Sequence, residues 1–163
     1  MAVIYEVLQK LLLGKAAEND KKTLVFTLGE EARKNIGNIG EDGQITMSLK
    51  MIENNRKNVH ILFLNRLQYL FMYLMKLEAD KDKFQYDNLI LYGLDSLIAQ
   101  YNTEDNAEDL NVEQIRLSNL IFNSIFKIKR KYEIDMLEFI PIDEGAQISL
   151  GLLKIEKYWK YVC

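Results

Sequence analysis

The sequence predicts a mainly α-helical fold, a single-domain bundle over residues 1–163 packed around one central apolar helix at about residues 58–78. Three observations carry this. The stretch from Val59 to Leu77, VHILFLNRLQYLFMYLMKL, is apolar on nearly every side at helical pitch, with Asn58, Asn65 and Lys76 on one narrow stripe beside Tyr69 and Met72. Four further segments repeat apolar residues at spacings of three and four, so each offers a face to that helix. With 163 residues, 48% of them apolar, the chain suffices for one core.

Taken in order, Val3, Ile4, Val7, Leu8, Leu11 and Leu12 define an amphipathic helix over residues 2 to about 17. Thr23 to Leu28, TLVFTL, is β-branched and aromatic, and Gln44 to Met51 alternates strictly, so two short strands that can pair are expected at 23–28 and 44–51. Between them a short helical piece at Gly29 to Asn35 runs into glycines 37, 40 and 43, the mark of a mobile loop. After the central helix, the polar stretch Asp80 to Lys83 is short enough to return a helix, Phe84 to Tyr101, antiparallel against it, which would set Asp87 level with Lys76.

Asn102 to Asn111 is acidic and aperiodic, an exposed loop that ends in a capping candidate, Asn111, with Gln114 three residues on. The helix from Val112 to about Lys131 keeps Glu113, Arg116, Asn119, Asn123, Lys127 and Arg130 on one polar stripe. YEIDMLEFI, ended by Pro141, reads equally as a helical turn or a third strand. Asp143 is an N-cap candidate, and Ile148, Leu152, Ile155, Trp159 and Val162 follow as a last helix docked through Trp159.

Function is less legible. The net charge of −3 gives no global attraction to nucleic acid or anionic lipid. A single cysteine, Cys163, excludes a disulfide framework and a cysteine-based zinc site, and a cytoplasmic protein is expected. Asn65, Arg66 and Gln68 within the central stretch argue against a membrane span. His60 is the lone imidazole; with Arg66 and Gln68 it falls on apolar arcs, which makes these three the buried polar candidates, each needing a partner or a cleft. Residues 102–113 match part of a calcium loop but carry Ala107 where glycine is needed. No phosphate loop follows glycines 37, 40 and 43, and no serine has a nucleophile elbow around it.

The expectation is therefore a non-catalytic interaction or assembly module, an adaptor or a structural or regulatory subunit, without cofactor or metal, working through helix faces with a protein partner or a second copy. Tyr69, Met72, Tyr92 and Tyr158 are the candidate contact residues. A second reading is a nucleic-acid-binding regulator using Lys127, Lys129, Arg130 and Lys131, although cations there also complement the helix dipole. A third is a small metal-dependent hydrolase using acidic residues such as Glu30 and Glu31.

Overall fold

The computed structural model describes residues 4, 6, 7, 21–41, 58–80, 82, 84–102 and 109–162. They form an α/β fold and not a helical bundle. Four strands, β1 (Thr23–Leu28), β2 (Val59–Leu64), β3 (Asn88–Tyr92) and β4 (Met136–Ile140), make one parallel sheet in the order β2-β1-β3-β4. The helices are α1 (Glu30–Glu41), α2 (Leu67–Ala79), α3 (Leu94–Ala99), α4 (Val112–Lys131) and α5 (Gln147–Val162).

The central stretch is the main correction. VHILFL is strand β2, and the helix begins only at Leu67, after Arg66 in extended conformation. A short apolar run has no period that separates a buried strand from a buried helix. Residues 84–101 fail the helical expectation for the same reason: NLILY is strand β3, buried at all five positions, and the chain turns at Gly93 into the six-residue α3. No antiparallel return exists, and Asp87 instead accepts the Lys22 backbone N–H at 3.0 Å while the Asp87 carbonyl takes the Asp135 N–H at 2.9 Å. Those bonds hold the starts of β1, β3 and β4 level. The strand at Thr23–Leu28 is present, but its neighbours are β2 and β3; residues 44–51 lie outside the described residues, as does most of the helix expected at 2–17. Where a loop is expected after Asn35, α1 continues to Glu41. Residues 136–140, left between turn and strand by the sequence, form edge strand β4.

Central strands of a parallel sheet are covered on both faces, so they are apolar throughout instead of alternating. On one face Leu24, Phe26 and Leu28 of β1 join Leu89 and Leu91 of β3, beneath Leu70 and Leu74 of α2, Phe122 and Ile125 of α4 and Leu152 of α5. On the other, Val25, Ile90, Tyr92 and Ile140 pack with Ile4 and with Ala32 of α1. The crossover from β1 to β2 thus uses one face and the later ones use the opposite face, as crossovers of one hand must when they step in opposite directions. The step reverses between β1 and β3.

Two helix ends follow the sequence closely. Asn111 caps α4 through a capping box, its Oδ1 accepting from Gln114 N at 2.7 Å while Gln114 Oε1 accepts from Asn111 N at 2.9 Å. Trp159 docks α5 on α4, its Nε1–H donating to Asn119 Oδ1 at 2.9 Å. Asp143 caps a turn ahead of α5, accepting from Gly145 N, and does not cap the helix itself.

Two glycines test the packing against each other. A Cβ on Gly93, at φ +93°, would sit 2.4 Å from the Leu28 carbonyl oxygen, whereas one on helical Gly151 would meet only the Leu110 side chain, at 2.9 Å. Gly93→Ala is expected to cost about 3 kcal/mol or more, from combined backbone strain and overpacking. Gly151→Ala should stay within about 1 kcal/mol of the parent, because the gain in helix propensity offsets the shift of a leucine tip. Urea unfolding of both variants checks this.

Candidate interaction surface

In open parallel sheets ligands bind outside the carboxyl ends of the strands where the strand order reverses, here between β1 and β3. In this chain that crevice is filled by the protein. Gly93 leaves β3 against the Leu28 carbonyl, and its missing Cβ would also lie 3.0 Å from Ala32 Cβ and 3.4 Å from Ile142 Cδ1. Ser96 Oγ sits 3.1 Å from the Leu28 carbonyl and 2.7 Å from that of Gly93, with one proton shared between the two acceptors. Gly29, at the end of β1, donates its N–H to the Leu64 carbonyl at 3.0 Å, which joins the exits of β1 and β2.

Above β3, buried Asp95 accepts from the backbone N–H groups of Ile142 (3.0 Å) and Asp143 (3.3 Å) and from Ser149 Oγ (3.2 Å), drawing the β4–α5 connection over the same edge. The N-terminus of α1, where a phosphate would sit in a nucleotide-binding relative of this architecture, carries Glu30 and Glu31. Both place negative charge where an anion would have to bind.

The concave apolar surface lies elsewhere, on the outer side of the helical layer. α2 and α4 run parallel: Leu67 and Gln68 are level with Leu117 and Ile121, and further down the Tyr132 hydroxyl reaches the carbonyls of Leu77 (2.8 Å) and Glu78 (2.9 Å). Between their upper halves is a groove of about 210 Å³ lined by Phe71, Met72, Tyr101, Leu117 and Leu120 together with Leu67, Gln68 and Ile121. Small-molecule sites run roughly 300–1,000 Å³, so this space suits one or two inserted side chains instead of a cofactor. Its lip continues apolar: Met72 is 65% exposed, Met75 53% and Tyr69 47%.

The structure disperses the other residues singled out from sequence. Tyr92 is wholly buried in β3, its hydroxyl accepting from Asn35 Nδ2 at 2.8 Å and its pKa pushed up by burial, so it belongs to the core and to no contact surface. Tyr158 is exposed on α5, edge-on to Trp159. The basic cluster spreads around α4: Lys127 and Arg130 are exposed, Lys129 lies over the Phe126 ring, and Lys131 donates to the Glu78 carbonyl. His60, Arg66 and Gln68, expected among buried apolar arcs, are all exposed. For His60 and Arg66 the cause is the strand, since His60 sits on edge strand β2, 2.7 Å from the Tyr86 hydroxyl, and Arg66 precedes α2 with its guanidinium over Tyr69, whereas Gln68 lies in α2 and is exposed at the groove. The buried polar residues are Asp95, Gln114, Ser118, Ser149 and Glu156 among others, and Glu156 is neutralised by Lys160 at 2.9 Å.

Leu117 and Leu120 are groove residues not singled out from sequence, and for Leu120 a signal was available: it interrupts the polar stripe of Arg116, Asn119, Asn123 and Lys127. Among the described residues no three His, Cys, Asp or Glu side chains converge as metal ligands, and no helix is long and apolar enough to cross a membrane.

With the crevice closed, magnesium-ATP at millimolar concentration should leave the melting temperature within about 1 °C of the ligand-free value, since a ligand at 100 times its Kd would add about 2.7 kcal/mol. A rise of several degrees would contradict the closed crevice.

Residues 5–163 match the model of a family described as Suppressor of HU sensitivity involved in recombination protein 1. A Saccharomyces cerevisiae protein of that same description is 28% identical over 146 residues, which span 89% of this chain and 87% of the relative.

Proposed function

The chain belongs to the family of Suppressor of HU sensitivity involved in recombination protein 1, and from that membership we propose that it is a non-catalytic, protein-binding subunit acting in recombination, with the α2–α4 groove as its partner-binding face. The observation that carries the reading is the pairing of a filled crevice with an open apolar groove. The edge where a doubly wound sheet performs chemistry is occupied by Gly93, Ser96 and Ile142. Met72, Met75, Tyr69 and Leu120 are among the exposed large apolar side chains of the described residues.

Exposed apolar side chains on a monomer are ordinary when scattered, but here two of them, Met72 and Leu120, line one concavity, and Tyr69 and Met75 lie one turn of α2 to either side of Met72. Methionine suits such a face, because an unbranched thioether adapts its shape to the side chain it receives. The family description supports recombination as the process, and the apolar groove supports binding of a protein as the mode of action.

A tagged full chain replacing the native copy in cells tests this. Leu120→Lys should reduce the recovery of co-purifying proteins at least tenfold and lower recombination frequency in parallel. Its effect on stability should stay within about 0.5 kcal/mol, since Leu120 is 39% exposed. Unchanged recovery and unchanged recombination would overturn the reading.

A further inference from the structure

The charges around the groove identify the chemistry of what enters it. We propose that the occupant is a partner segment of acidic amphipathic character: a helix that inserts one bulky apolar side chain between α2 and α4 and sets carboxylates against Arg66, Lys76 and Lys127. The inference rests on the protein-binding reading above and adds to it the kind of partner.

Three cations flank the concavity. Arg66 immediately precedes the lining residues Leu67 and Gln68, Lys76 follows Met72 by one turn of α2, and Lys127 follows Leu120 by two turns of α4. All three are exposed, and none is held in an ion pair among the described residues. The acid closest in sequence to the α4 side, Glu113, is already taken by Arg116, whose Nε and Nη2 donate to its two carboxylate oxygens at 3.1 and 2.6 Å. That bidentate pair holds the Glu113 carboxyl below its usual pKa, so it stays ionised, and its charge is matched by the Arg116 guanidinium. Glu78 and Asp80 lie beyond Met75, at the C-terminal end of α2, where Lys131 reaches the Glu78 carbonyl.

The groove is therefore apolar in its floor and positive on its flanks, in a chain whose net charge is −3. A basic or neutral partner would leave those cations facing its own charge or none, whereas an acidic one gains steering and register from them. The dimensions agree: a groove of about 210 Å³ between two parallel helices accepts a leucine, phenylalanine or tryptophan anchor from a third helix laid along it. Nucleic acid fits less well, because phosphate contacts need no apolar floor and other cations of α4 are engaged within the chain, Arg116 with Glu113, Lys129 over Phe126 and Lys131 with the Glu78 carbonyl.

Panning a random phage-displayed 16-residue library against the full chain, with counter-selection on the Met72→Lys variant, tests the proposal. Groove-dependent binders should be enriched several-fold in Asp and Glu flanking a Leu, Phe or Trp. Synthetic versions should lose at least tenfold in affinity with Lys76→Glu plus Lys127→Glu, while the thermal melt of that variant stays unchanged. Groove-dependent binders lacking acidic enrichment, or enriched in Lys and Arg, would overturn the partner chemistry and leave the protein-binding reading standing. So would a dimer abolished by Met72→Lys, or a single-stranded oligonucleotide that displaces the peptides competitively. If no binder depends on Met72, the groove itself fails, and the protein-binding reading of this face fails with it.

Discussion

The close approach of Gly93 to the Leu28 carbonyl is the contact on which the architecture depends. It joins the exits of the two central strands at the one place in the sheet where the helices part to opposite faces. Any side chain there would collide with backbone, which cannot yield as a leucine tip can. Ser96 then bridges the two strand ends through its hydroxyl, and Asp95 draws the β4–α5 connection over the same edge. The consequence is functional as much as structural, since the crevice that other doubly wound sheets offer to a ligand is here part of the packing.

With that edge closed, the groove proposed for recognition lies in the helical layer. α2 and α4 bury Leu70, Leu74, Phe122 and Ile125 against the sheet, and two neighbouring cylinders leave a furrow on their outer side. The furrow is apolar because Phe71, Met72, Leu117 and Leu120 stand where a solvated helix would place polar residues. Leu67 and Ile121 belong both to the groove floor and to the core, whereas Met72 and Leu120 are exposed, so only the outer groove residues can change without loss of the core.

The individual helices α4 and α5 and the capping box at Asn111 were legible in sequence because each depends on spacings within about one or two turns, and Trp159 was legible as part of the apolar face of α5, though not its partner Asn119. So were Tyr69 and Met72 as outward positions, since both share the stripe of Lys76. Tyr92 was misplaced because an aromatic ring in a short apolar run looks alike on a helix surface and in a strand core. His60 and Arg66 were misplaced because residues 59–64 are strand and Arg66 is extended, so a helical period does not assign their faces; Gln68 does lie in a helix, α2, and is exposed at the groove.

What the sequence determined by itself is local: the helices over 112–131 and 147–162, the capping box at Asn111, and the presence of one histidine and one cysteine. Only the tertiary structure decided that VHILFL and NLILY are parallel strands, that Gly93 and Ser96 fill the crevice between β1 and β3, and that Met72 and Leu120 share one groove. The physical reason is that parallel strands pair with partners dozens of residues away and are covered on both faces. Neither the pairing nor the double burial leaves a period in the chain, whereas a helix closes its hydrogen bonds within itself.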